Sequence, residues 1–203
     1  MWTYEKRLQY PVNITKTCPK TASLIISQFG GPDGELAASM RYLSQRYTMP
    51  CKEVSGLLTD IGTEELAHLE IICAIIFQLT KNMKVEDARA AGFDAYYVDH
   101  TAGIWPTAAA GVPFNACEFQ SKGDAITDLF EDLAAEQKAR STYENLIRII
   151  PDPEVREPLK YLRAREVVHF QRFGEALEKL KTDLDAKNFY YYNAEFDKQM
   201  VKK

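Results

Sequence analysis

Apolar residues recur at three- and four-residue intervals over four stretches, roughly 20–48, 52–80, 123–149 and 153–182, and this spacing predicts a helix over each. The punctuation fits those limits. Pro50 closes the first stretch and Gly123-Asp124 opens the third. Pro151-Asp152-Pro153 separates the third from the fourth, with Asp152 suited to the N-cap and Pro153 to the first helical position. Pro158 falls early in the fourth pattern and predicts either a restart or a kink there.

The links between these helices carry the topology. Those joining the first to the second and the third to the fourth span only a few residues, which forces two antiparallel hairpins. Between the hairpins lie about forty residues, 81–122, including AAGFDAYYVDHTAGIWPTAAAGVPF and showing no long helical pattern. A helix of ~28 residues is ~42 Å long, so a connection that returns along it must itself be long. Two hairpins joined by one crossover predict an all-α, ferritin-like four-helix bundle occupying residues 1–183. The remaining segment, 184–203, carries Tyr190, Tyr191, Tyr192 and Phe196. It is too short to add a layer and is expected to pack on the bundle or dock on a neighbour.

Charged residues and imidazoles interrupt the apolar pattern at particular depths. The first helix carries Glu35, the second Glu65 with His68, the third Glu136, and the fourth Glu166 with His169. Each falls about halfway along its predicted helix, so an antiparallel bundle sets all six at one level. The spacing also repeats: residues 101 positions after Glu35, Glu65 and His68 are Glu136, Glu166 and His169, and Tyr42 maps likewise to Tyr143. Two hairpins of common origin around an approximate twofold axis are implied. Carboxylates in a dry core cost several kcal/mol each unless paired or ligating a cation, and no lysine or arginine recurs at this level often enough to neutralise four. Two divalent metal ions would neutralise them, because Glu-x-x-His places both groups on one helix face. A single Glu-x-x-His would read as a surface pair; two, with two more mid-helix glutamates, read as a dinuclear metal site. Tyr42 and Tyr143 read equally as core residues or as hydrogen-bond donors to ligand carboxylates. His100, in the crossover, reads as a surface histidine.

Composition narrows the function classes. A net charge of −4 without clustered Lys and Arg argues against nucleic acid as a partner. The longest apolar run, IICAIIF at 71–77, is far short of the ~20 residues that span a bilayer, so it reads as core helix and no membrane is expected. The N-terminal MWTYEKRLQYPV lacks the apolar centre of a signal peptide, which predicts a cytoplasmic protein. Cys18, Cys51, Cys73 and Cys117 show no zinc-ligand spacing and are expected to be reduced apolar fillers.

GPDGELAASMRYL, TDIGTEELAHLE, KGDAITDLFEDLAAEQKARSTYENL and LRAREVVHFQRFGEAL resemble the manganese catalase family, and the short chain beginning MWTYEKRLQYPV is most similar to its spore-coat branch, the coat protein JC group. The resemblance covers roughly residues 1–182. It implies two manganese ions held by Glu35, Glu65, His68, Glu136 and His169, with Glu65 and Glu136 most central, and iron as the alternative metal. It makes Glu166 a proton acceptor beside the metals, and Tyr42 a donor to the first glutamate. The implied reaction converts two hydrogen peroxide molecules to water and dioxygen. It also implies a homo-oligomer, a hexamer in the longer relatives, and a place in the spore coat among other coat proteins. A diiron peroxidase or ferroxidase, and a structural coat protein with a vestigial metal site, are the alternatives. Two features depart from the longer relatives: the chain ends soon after the fourth helix, and Ala135 stands where some carry an arginine that restricts access to the metals.

Overall fold

A computed structural model describes residues 7–183 of the chain. Its helices are α1 (Pro19–Ile25), α2 (Ser27–Gly30), α3 (Glu35–Gln45), α4 (Lys52–Thr80), α5 (Val85–Ala90), α6 (Asp94–His100), α7 (Ala125–Ile149) and α8 (Pro153–Asp183). α3 packs chiefly on α4, and α7 on α8, giving the two hairpins of a ferritin-like bundle. The aromatic segment 184–203 lies outside the described residues.

The long helices follow one rule. α4 buries Val54, Leu58, Ile61, Glu65, His68, Ile72, Ile75 and Leu79, in alternating steps of four and three. α8 buries Val155, Leu159, Leu162, Glu166, His169, Phe173, Ala176 and Leu180 in the same steps. On α7 the stripe runs Ala125, Leu129, Asp132, Glu136, Ala139, Tyr143 and Leu146. Such spacing keeps one seam facing the partner helices along their whole length. Each fully buried Leu or Ile contributes about 1.5–3 kcal/mol, so the charged positions in mid-seam forgo stabilisation. Two apolar clusters enclose that polar layer. One gathers Ile25, Ile72, Ile75, Leu79, Leu159 and Leu162, the other Leu58, Ile61, Leu129, Phe173, Leu177 and Leu180.

Helix ends obey local chemistry. The Asp124 carboxylate accepts from the Thr127 amide at 2.8 Å and starts α7, and Asp152 accepts from the Glu154 amide at 2.9 Å ahead of Pro153. Pro158 neither restarts nor ends α8, which runs continuously through it.

The first helix differs from its sequence reading. In place of one helix over 20–48, the chain forms α1 and α2, breaks over 31–34, and resumes as α3, which ends in a 3-10 turn at Arg46–Thr48. The break follows from Gly30-Gly31-Pro32-Asp33-Gly34: proline lacks the amide that a continuing helix needs, and glycine favours the coil. Glu35 is therefore the first residue of α3 rather than a mid-helix residue. Its carboxylate sits at a helix N-terminus, where the backbone dipole favours negative charge.

Residues 81–124 cross the bundle with only α5, α6 and a 3-10 turn at Ala116–Glu118 as helical structure. They pass directly over α2. A Cβ at Gly30 would lie 2.2 Å from the backbone of Pro106 and Thr107. Gly30→Ala is expected to push the crossover off the bundle, costing about 1–3 kcal/mol, visible as a lower melting temperature.

Candidate metal centre

The polar layer collects Glu35 from α3, Glu65 and His68 from α4, Glu136 from α7, and Glu166 and His169 from α8, none more than 3% exposed. Oxygens and nitrogens of Glu35, Glu65, His68 and Glu166 lie within 4.8 Å of one another, and so do those of Glu65, Glu136 and His169. Glu65 alone belongs to both groups. One of its oxygens is 2.7 Å from Nδ1 of His68 and the other is 2.8 Å from Nδ1 of His169. Glu136, expected to share the centre with it, falls in one group only.

The donor set fits two cations. Oε1 of Glu65 and Nδ1 of His169, though 2.8 Å apart, do not form a hydrogen bond, and Oε2 of Glu136 and Oε1 of Glu166 are also buried without partners. Buried polar atoms are normally paired. Ligand atoms around one octahedral ion with bonds of ~2.1 Å lie roughly 3 Å apart, and the imidazole–carboxylate pairs within the two groups lie 2.7–3.6 Å apart. Carboxylate and imidazole donors suit manganese and iron alike.

The tyrosines answer the question the sequence left open, with an exchange of partners. The Tyr42 hydroxyl donates to Glu136 and the Tyr143 hydroxyl to Glu35. Tyr42 therefore does not serve the first glutamate, as the resemblance implied. Each hairpin orients the other's carboxylate, because the helices cross face to face at this level. Tyr42 belongs to one apolar cluster and Tyr143 to the other, so the two phenols close the layer from opposite sides.

Sequence reading missed Glu64. This half-buried carboxylate accepts from Nε of Arg165 at 2.7 Å, from Gln9 at 2.9 Å, and bonds Nε2 of His169 at 3.1 Å. Nε2 of His68 is 3.5 Å away. One outer carboxylate thus faces both imidazoles and leaves each Nδ1 turned toward Glu65. Such partners fix the tautomer and raise ligand basicity. A signal existed: Glu64 and Arg165 are also 101 positions apart, but as opposite charges rather than identical residues. Glu64→Gln is expected to weaken metal binding by about 10–100-fold, measurable by competition with a chelator.

Burial sets the electrostatics, and the imidazoles divide the carboxylates into two kinds. Burial pushes Glu35 up to about 7, against the pull of His68. Burial raises Glu136, and raises Glu166 well above the usual carboxylate range with the Glu136, Glu35 and Glu65 charges adding to it. For Glu65 burial acts the same way, yet His68 and His169 outweigh it and hold the group low. The histidines respond reciprocally: burial opposes their charge, but Glu65 and its neighbours push His169 up to about 11 and His68 well above its ordinary value.

His100 lies outside both donor groups, stacked on Trp105 at 4.8 Å and beside Tyr96 in the crossover. All four cysteines are free, three partly buried and Cys117 exposed, so none is a fully buried filler. Ala135, next to Glu136, is buried and offers only a methyl group. No helix among the described residues is long and apolar enough to cross a membrane.

Comparison with known proteins identifies relatives of the chain. Protein CotJC of Bacillus subtilis is 54% identical over 190 residues, covering 94% of this chain and all of the relative. A probable manganese catalase of Clostridium acetobutylicum is 36% identical over 193 residues, covering 93% of this chain and 85% of its own length. The crystal structure of KatB, a manganese catalase from Anabaena, superposes with a TM-score of 0.82 at 34% identity, covering 89% of this chain and 81% of that one. The family described as manganese containing catalase matches residues 1–203, and with an all-helical bundle that gathers four glutamates and two histidines between its hairpins, the chain belongs to that family.

Proposed function

We propose that the chain is a catalase that converts two hydrogen peroxide molecules to water and dioxygen at two manganese ions. The observation that carries the reading is the position of Glu65, whose two oxygens each approach the Nδ1 of a different histidine. A carboxylate so placed can join two ions. Glu35 and His68 would complete one ion's donors, Glu136 and His169 the other's. Bound manganese would hold and return the two electrons that the first peroxide gives up and the second receives.

The chain's own residues manage the protons. Glu166 is buried beside Glu35, Glu65 and His68, with one oxygen unpartnered. Burial keeps its carboxyl basic enough to take a proton from one peroxide and return it to the next. Burial also keeps the Tyr42 and Tyr143 hydroxyls protonated, so both stay donors and hold Glu136 and Glu35 in place. On this reading a place in the spore coat concerns where the peroxide is met, and hydrogen peroxide remains the substrate of a homo-oligomer.

Purified protein should contain about two manganese per chain and release oxygen briskly from hydrogen peroxide. Iron in place of manganese favours a diiron peroxidase or ferroxidase. Metal without oxygen release favours a structural role.

Metal and protons compete for the same atoms. Loading requires deprotonated ligands, and the groups that must lose protons include Glu35 at about 7 and His169 at about 11. Apparent manganese affinity is therefore expected to rise at least tenfold per pH unit between pH 7 and 9. A chelator competition series measures this. Stability of the metal-free protein moves the opposite way. The Glu35 contribution is present below its unfolded value of 4.5 and lost as pH rises through about 7; that of His169 is present below 6.5 and lost as pH rises through about 11. A falling melting temperature from pH 5 to 9, absent from loaded protein, is the expected result.

A further inference from the structure

One segment outside the helices reaches the metal centre. Residues 8–15 form an extended strap against α4 and α8. Leu8, Tyr10, Val12 and Ile14 are buried or partly buried, while Gln9, Pro11, Asn13 and Thr15 are exposed, the two-residue alternation of an extended chain on an apolar floor. Both hairpins hold it. On α4, the Gln78 side chain accepts from the Ile14 amide at 2.6 Å and donates to the Val12 carbonyl at 2.8 Å. On α8, Tyr161 stacks on Tyr10 at 4.7 Å, and Glu154 accepts from the amide and hydroxyl of Thr15 at 2.7 and 2.8 Å. Tyr161 in turn meets His68 edge-on, with ring centres 6.5 Å apart.

The strap brings Gln9 to the outer carboxylate of the centre, where its Nε2 donates to Oε1 of Glu64 at 2.9 Å. The two oxygens of Glu64 face different imidazoles. Oε2 bonds Nε2 of His169 at 3.1 Å, whereas Oε1 stands 3.5 Å from Nε2 of His68, which forms no hydrogen bond of its own. Arg165 grips both oxygens, with Nε on Oε1 at 2.7 Å and a terminal nitrogen on Oε2 at 3.2 Å, and so anchors the carboxylate as a whole. Gln9 grips Oε1 alone, on the side that His68 faces. The internal repeat makes this arrangement one-sided: position 165, the counterpart of 64, is an arginine, so of the two only Glu64 offers a carboxylate to such a donor.

We propose that Gln9 is a positioning residue for the metal centre: the strap uses it to hold Oε1 of Glu64 against His68, which keeps Nδ1 of His68 aimed at Glu35 and Glu65, where one of the two cations would bind. Nδ1 lies 2.7 Å from Glu65 and 3.6 Å from Glu35. A partner on the far nitrogen of an imidazole sets the ring's orientation and so its worth as a ligand. Loss of Gln9 loosens one ion and spares the other, because His169 keeps its own bond to Oε2. The proposal rests on the two-ion reading of the centre and not on the reaction catalysed there.

The test needs no turnover. Wild type, Gln9→Met and Gln9→Lys are loaded with Mn(II) and taken through one chelator series, with bound manganese and the electron paramagnetic resonance spectrum read at each step. Methionine keeps the length of the side chain without a donor, and lysine keeps a donor. Gln9→Met should release one ion of the two about tenfold more readily than wild type, the spectrum of a coupled pair giving way to that of a single Mn(II) while the second ion is still held. Gln9→Lys should behave as wild type. The melting temperature of metal-free protein should not move, since Gln78, Tyr161 and Glu154 still anchor the strap. A wild-type release profile in Gln9→Met overturns the proposal, as does a Gln9→Lys protein as weakened as Gln9→Met. Loss of both ions together with a lower melting temperature also overturns it, because Gln9 would then only secure the fold. A wild type that never holds a coupled pair sinks the two-ion reading and the proposal with it.

Discussion

Replacing Glu65 with glutamine is expected to leave a folded protein that does not bind manganese. The carboxylate sits between two imidazoles, one oxygen 2.7 Å from His68 and the other 2.8 Å from His169. Glutamine keeps the shape but replaces one oxygen with an amide nitrogen, which has no lone pair to offer a cation. One of the two contacts is lost outright, and the negative charge that two ions would share goes with it. Replacing a residue that only orients a ligand costs about 10–100-fold in affinity, so removing a shared ligand should exceed that for both ions. The fold should survive, because the two apolar clusters enclosing the layer do not include Glu65. Metal analysis of the purified variant beside its circular dichroism spectrum checks both halves. His68→Ala is expected to behave alike, with metal gone and helicity kept. A Glu65→Gln protein that holds two ions at wild-type affinity would show that the bridge lies elsewhere.

Glu166→Gln should do the reverse, keeping manganese and losing most turnover, by about 10²–10⁴-fold, the usual worth of a positioned acid–base group. The geometry leaves room for the contrary outcome, which makes the experiment decisive. Glu166 shares its donor group with Glu35, Glu65 and His68, within reach of the same ion. Its distinction from Glu65 is electrostatic. No imidazole nitrogen forms an ion pair with it, whereas Glu65 has one on each oxygen. Burial and the charges of Glu136, Glu35 and Glu65 outweigh the pull of His68 and raise it, whereas the two imidazoles hold Glu65 low. Oxygen release measured per bound manganese separates the outcomes. An empty site in Glu166→Gln would make the residue a ligand, and the two hairpins more nearly equivalent than proposed.

The two variants probe the asymmetry of a nearly symmetric site. Positions 101 residues apart supply matched glutamates, histidines and tyrosines, yet Glu64 pairs with Arg165, and Asp132 answers to Gly31. These exceptions lie where one hairpin meets the other or meets solvent. The matched residues form the buried donor cluster, and the unmatched Glu64 faces both of its imidazoles.

The seam pattern alone was enough to predict the bundle, because steps of three and four residues place side chains on one helix face whatever the partner. The shared buried layer was legible in five of the six acids and histidines for the same reason, since a polar side chain in the middle of an apolar seam turns inward; Glu35 instead starts α3. Short links and one long crossover then dictated the hairpin topology through chain length. Tertiary structure decided what depends on contacts between distant segments. The break at Gly31–Gly34 had its signal in Pro32, but helical spacing on both sides masked it, and only the bundle keeps Glu35 at the level of the other acids. Which tyrosine serves which glutamate depends on how the hairpins face each other, since each phenol reaches across rather than along its own hairpin. Glu64 looked like an ordinary charge beside Glu65 until Arg165, from a helix one hundred residues away, was brought against it. Local spacing fixes the direction in which a side chain points, and only packing fixes what it meets there.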